Sequence, residues 1–170
     1  MPGNGSRILL AIYLNDHLAG STVGRELARR AASNNRATSY GPTLTELARE
    51  IDEDRQSLLR IMEALGVRVD PFKVAAGWSA EKLGRLKLNG RLRGYSPLSR
   101  VVELEALILG VQGKLAMWRA LDELTPPPPT LAGADLGTLQ RRAESQLDRL
   151  EDCRRRAAAE AFGSAQDGGP

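Results

Sequence analysis

One cysteine and one histidine in 170 residues remove much of the chemistry a small protein can carry. Cys153 has no second cysteine to pair with, and there is no histidine cluster for a structural zinc, so a reducing, cytoplasmic setting is the expectation. No apolar run approaches the roughly 20 residues of a membrane span, and Met1 to Ser6 lacks the basic and apolar pattern of a secretory leader. A glycine-rich phosphate loop and a serine-nucleophile elbow are likewise missing. Aromatic residues are scarce, with two Trp, three Tyr and two Phe. None interleaves as a stacking platform with the Arg-rich places at Arg29, Arg30 and Arg36, at Lys82 to Arg93, or at Arg154 to Arg156. The net charge of +3 comes from 24 basic and 21 acidic residues whose signs alternate along most of the chain. That balance suits a solvated charged surface better than a nucleic-acid footprint.

What the chain does have is helical periodicity. One helix is expected from Ser6 to about Ser33, with Leu9, Ile12, Asp16, Ala19, Val23 and Leu27 on one face. After Tyr40-Gly41-Pro42, Thr43 as N-cap and Glu46 three residues on suggest a capping box. Leu44, Leu47, Ile51, Asp54, Leu58, Ile61 and Leu65 then form a stripe, with Gly66 as a left-handed C′ residue. Asp70-Pro71 opens a shorter, glycine-interrupted third helix over Phe72 to about Leu88. Ser96-Pro97 opens a fourth, with a seam of Val101, Leu104, Ile108, Val111, Leu115 and Trp118, which the run Thr125 to Pro129 stops. Asp135 caps a fifth, with Leu136, Leu139, Ala143, Leu147, Leu150, Cys153 and Ala157 aligned. Residues 6–162 thus read as a single all-α bundle domain, with residues 1–5 and 163–170 expected to be disordered.

The order long, long, short, long, long fits two helical hairpins joined by a crossover that contains the short helix. An up-and-down five-helix bundle is the alternative. Four of the helices carry an acidic residue in or beside the apolar stripe near mid-length: Asp16, Asp54, Glu105 and Asp148. A carboxylate in a packed seam needs a cation, a hydrogen bond or a metal.

In helix lengths and polar positions the chain resembles the ferritin-like superfamily over Ser6 to Phe162. Tyr13-Leu-Asn-Asp-His-Leu-Ala-Gly20 and the turn Lys87-Leu-Asn-Gly90 are also similar to a group of uncharacterised bacterial proteins. The resemblance implies two hairpins and a crossover, with carboxylates and Glu-x-x-His pairs at the centre of the metal-binding forms. This chain departs from that pattern, because its sole histidine, His17, follows no glutamate at that spacing and the standard di-iron motif is absent.

Two readings follow. In the first, the bundle is a non-catalytic structural or interaction protein that self-associates or binds a protein partner. It takes no cofactor, and Asp16, Asp54 and Glu105 form a buried network with Lys82 and Arg85 of the third helix. Gly110 and Gly113 would let a neighbouring helix or subunit approach closely. In the second, Asp16, His17, Glu50, Asp54 and Glu105 bind iron or manganese for redox or storage chemistry. A third use, docking of an acidic partner or nucleic acid through Lys82 to Arg93, would make binding steeply salt-dependent. The unexciting assignments are that His17 is satisfied locally, Cys153 is an inert small hydrophobe, and Trp78, Trp118, Tyr13, Tyr40 and Tyr95 pack in the core or at hinges.

Overall fold

A computed structural model describes residues 4–71, 95–124 and 135–163, and these are helical, with no strand among them. Among the described residues there are four helices: α1 Asn4–Asn34, α2 Gly41–Ala64, α3 Pro97–Asp122 and α4 Leu136–Phe162. The expected short helix over residues 72–88, the stop at 125–129, Lys82 to Arg93, residues 1–3 and residues 164–170 lie outside the described residues.

Local signals set most of the ends. Ser96 caps α3 through a reciprocal pair, its hydroxyl accepting from the Ser99 amide at 3.1 Å while its own amide donates to Ser99 Oγ at 3.4 Å. Asp135 caps α4 by accepting from the Thr138 amide at 2.8 Å. Gly66, at φ +67°, ends α2 in a Schellman turn, with the Val67 amide on the Met62 carbonyl and the Gly66 amide on the Glu63 carbonyl. The start of α2 differs from the expectation at Thr43. Its N-cap is Tyr40, already in helical conformation and without a side-chain cap. The reason lies one turn upstream, where the Gly41 amide bonds the Thr38 carbonyl and the chain enters the helix from a preceding turn. A Cβ at Gly41 would stand 2.7 Å from the Arg36 carbonyl oxygen, so that close approach requires glycine.

The backbones of α1 and α2 are neighbours, as are α1 and α3, α3 and α4, and α2 and α4, which leaves α1/α4 and α2/α3 on the diagonals. Cross-links between side chains give the directions. Arg30 meets Glu103 and Asn35 meets Arg100 between α1 and α3. Arg119 meets Glu144 and Arg100 meets Glu160 between α3 and α4. Tyr40 meets Glu160 and Glu50 meets Arg149 across the α2 and α4 side. Every neighbouring pair is therefore antiparallel, and the link from α2 to α3 starts at one end of the bundle and finishes at the other. Both of its described ends are tied to α1. Asn15 donates to the Arg68 carbonyl at 3.0 Å and accepts from the Asp70 amide at 2.7 Å, while Asn35 donates to the Tyr95 hydroxyl at 2.8 Å.

The core runs through all four helices, from Leu14 and Leu18 through Leu47, Leu58 and Met62 to Leu104, Trp118 and Leu150. The face of α1 differs from the one its apolar pattern suggested. Leu9 and Ile12 are 69% and 46% exposed, and Asp16 is exposed too, whereas Leu14, Asn15, Leu18, Ala28 and Ala31 are buried. Residues 8–14 of α1 are apolar all round, so hydrophobicity alone does not choose a face. The hydrogen bonds of Asn15 choose it.

Candidate functional site

Two adjoining features stand out at the middle of the bundle: a buried ion network among α2, α3 and α4, and a cleft among α1, α2 and α3. The network is centred on Asp54, which is 1% exposed on α2. Lys114 of α3 reaches across the diagonal and donates to Asp54 Oδ2 and to Gln146 Oε1. Arg142 of α4 pairs with Asp54 Oδ1. The Gln146 amide nitrogen donates at 3.1 Å to both Asp54 Oδ2 and Glu50 Oε2, and Arg149 completes the set on Glu50. Two buried carboxylates are thus met by three cations and one amide. That is the condition for burying charge without a large penalty.

The sequence reading placed Asp54 in this interior but named other partners. Asp16, Glu105 and Asp148 are exposed, and the contacts of Asp54 and Glu50 among the described residues are made with other side chains. Lys82 and Arg85 lie outside the described residues. The partners present, Lys114, Arg142, Gln146 and Arg149, were not anticipated. Their signal was spacing: Leu136, Leu139, Ala143, Gln146, Leu150, Cys153 and Ala157 follow an unbroken three-four rhythm that passes through Gln146 instead of Leu147. Leu107, Val111, Lys114, Trp118 and Leu121 do the same for Lys114. On α3 the acidic residue that faces α1 is Glu103, 2.9 Å from Arg30.

The metal ligands expected in the second reading are dispersed. Glu50 and Asp54 share the network, while Asp16 and Glu105 are exposed. Among the described residues, no three His, Cys, Asp or Glu side chains gather as a metal-binding group. His17 is half-buried and packs edge-to-face with Tyr13 at 4.5 Å between ring centroids. Cys153 is buried, and burial pushes its thiol pKa up, away from reactivity.

The cleft has a volume of about 250 Å³. Gly20, Leu109 and Gly110 stand at its exposed mouth, and Asp54, Leu58 and Trp118 at its buried floor. Gly20 and Gly24 of α1 line it with Gly110 and Gly113 of α3. A Cβ on any of the four would meet nothing within 4 Å. The glycines of α3 therefore leave open space where close helix packing was expected.

Electrostatics follow the burial. Desolvation lowers the Lys114 pKa, opposed chiefly by the charge of Asp54. Desolvation would by itself raise Glu50, but hydrogen bonds from Arg149 and Gln146 and the charges of Arg149 and Arg142 outweigh it, and its pKa lies below the usual range. His17 is lowered by desolvation, against the raising effect of Asp16. Glu50 and His17 make the fold acid-sensitive. A depressed carboxyl stabilises the fold above its unfolded pKa, and the contribution is lost as pH falls through the folded value. A base depressed on folding takes up its proton more readily in the unfolded chain, so stability drops as pH falls below the ordinary value of 6.5. Stability should decline in two stages on acidification, and His17→Gln should remove the upper one. Thermal melts between about pH 7 and pH 3 check this, and an unchanged upper stage in the variant would refute it.

No described helix is long and apolar enough to cross a membrane. Comparison with protein-family models, with curated proteins and with solved structures gave no match.

Proposed function

We propose that the protein is a non-catalytic, ferritin-like helical bundle, cytoplasmic, that acts as an interaction module by self-association. The ferritin-like reading draws support from the antiparallel neighbours and from a link that begins at one end of the bundle and finishes at the other. A four-helix up-and-down array would instead put α2 beside α3, and those two are diagonal. The observation that carries the interaction reading is the stripe Ile8, Leu9 and Ile12, which are 54%, 69% and 46% exposed on one side of α1. Three large aliphatic side chains at this spacing form the kind of apolar face that a second copy can cover.

The metal-centre reading is the weaker one. Glu50 and Asp54 already have their charges met by Lys114, Arg142 and Arg149, and a cation at the same place would have to displace them. Sedimentation velocity tests the interaction reading. The wild-type chain should sediment as a dimer or higher assembly, and Leu9→Glu with Ile12→Glu should give a monomer of unchanged helicity. A wild-type monomer at all accessible concentrations would sink the proposal. Elemental analysis of the purified protein covers the other reading, since near-stoichiometric iron or manganese that disappears with Asp54→Asn would replace it.

A further inference from the structure

α3 is apolar on two sides. Its inner side packs in the core, and on its outer side Leu98, Val102, Leu109, Ala116 and Ala120 follow one another at helical spacing. Leu98 is 54% exposed and Leu109 is 74% exposed. The charged side chains Arg100, Glu103, Lys114 and Arg119 are drawn to neighbouring helices, which leaves Glu105 and Gln112 as the polar residues beside the outer side at mid-length. A helix that is apolar all round belongs in an interior. The described helices leave this one at the surface, next to the cleft of about 250 Å³ at its seam with α1.

The chain itself offers a cover. Asn15 bonds the backbone of Arg68 and Asp70, and Asn35 bonds the hydroxyl of Tyr95, so residues 72–94 leave and rejoin the described helices at two points on α1. At about 1.5 Å per residue those points are about 30 Å apart along the α1 axis. The chain from Asp70 to Tyr95 would span about 37 Å as a helix, the form that the Asp70-Pro71 start predicts. A straight course therefore follows α1, over its seam with α2 or its seam with α3. The α2 seam carries Arg25 and Arg29 on Asp52, a rim of partly exposed charge that an apolar segment would have to desolvate. The α3 seam offers the cleft and the exposed aliphatic side chains. Its exposed charges at mid-length, Asp16 and Glu105, are acidic. Residues 72–94 are the complement, with Lys73, Lys82, Arg85, Lys87, Arg91 and Arg93 against a single acid, Glu81.

The same distances place one side chain at the cleft. Along α1 the cleft runs from His17 to Gly24, about 3–14 Å beyond Asn15. Trp78, counted from Asp70, stands about 12 Å along a helix. An apolar cavity of about 150 Å³ holds a benzene ring, so the larger cleft has room for an indole. We propose that residues 72–94 pack along the seam of α1 and α3, against the outer side of α3, with Trp78 filling the glycine-lined cleft. The cover stops at Asn15, so Ile8, Leu9 and Ile12 stay available to a second copy. The inference rests on the crossover of the ferritin-like reading and not on self-association, which sedimentation tests separately.

Trp78 and Trp118 are the two tryptophans of the chain, so acrylamide quenching of the full-length protein reads the position of Trp78. Trp118 is buried whatever Trp78 does. Wild-type emission should be shielded throughout and at every protein concentration. Gly110→Leu, whose Cβ meets no obstruction and whose side chain fills the cleft, should make half of the emission quenchable with helicity kept. Cysteine pairs in a Cys153→Ala background fix the seam. On oxidation Lys82→Cys should form an intrachain disulfide with Ala106→Cys or Leu109→Cys on α3, and none with Gln56→Cys on the exposed side of α2. A freely quenched Trp78 in the wild type, or no gain of quenching in Gly110→Leu, would overturn the proposal. Shielding lost on dilution, or disulfides formed between chains, would give the face to a second copy instead. Equal cross-linking to Gln56→Cys would overturn the choice of seam.

Discussion

Asp54→Ala is expected to lower the unfolding free energy by about 3–5 kcal/mol, the largest effect of any single charged residue in the bundle. The loss arises from what stays behind. Lys114 would keep its ammonium in the interior with only Gln146 to accept from it, and Arg142 would lose its buried partner while retaining Glu53 at the surface. Asp54→Asn preserves shape and one acceptor and should cost less. Replacing Asp54, Lys114 and Gln146 together by Leu, Met and Leu removes the buried pair with its bridging amide, leaves Arg142 on Glu53 and Glu50 on Arg149, and should cost less than Asp54→Ala, because the Coulomb gain of a buried pair roughly offsets its desolvation. Urea denaturation of the three variants separates these cases. If the single and the triple replacement lose the same stability, the network is not acting through buried charge.

Tyr40→Ala is expected to cost about 3–5 kcal/mol, at the other functional extreme of the bundle, its end. Tyr40 is 2% exposed, and its ring lies between two guanidinium groups, Arg100 and Arg156, each 4.6 Å from the ring centroid. Its hydroxyl donates to Glu160 at 2.7 Å, and Glu160 in turn accepts from Arg100 at 2.9 Å. One side chain from the α1–α2 turn thereby joins the start of α3 to the end of α4. Tyr40→Phe keeps the ring between the arginines and removes only the hydroxyl, so about 1 kcal/mol should be lost. Thermal or urea melts of the pair divide the ring from the hydroxyl. Equal losses in Phe and Ala would mean the packed ring contributes nothing, contrary to its burial.

The sequence made the helices legible because their ends carry distinct chemistry. Ser96, Asp135 and Gly66 each act where their side chain, or lack of one, is needed. The apolar rhythm also put Asp54 in the interior. It failed where the rhythm was ambiguous or was read too strictly for apolar residues. In α1, Ile8, Leu9, Leu10 and Ile12 surround the axis, so the face was decided by Asn15, whose partners lie 53 and 55 positions away. In α3 and α4, Lys114 and Gln146 hold core positions, and counting only hydrophobic residues passes over them. The cleft was hidden for a related reason: glycines spaced for close approach in sequence turned out to enclose a void, which depends on the distance between α1 and α3.

The antiparallel arrangement puts the first turn of α1 and the last turn of α4 at opposite ends of the bundle, with these two helices parallel on a diagonal. Helices of 31 and 27 residues put those points about 40 Å apart. A tension applied between them runs along the helix axes and loads the α1–α3 and α3–α4 seams in shear, side by side, so that many interdigitated side chains yield together. A bundle whose outer helix ends met at one end would instead be peeled open one turn at a time.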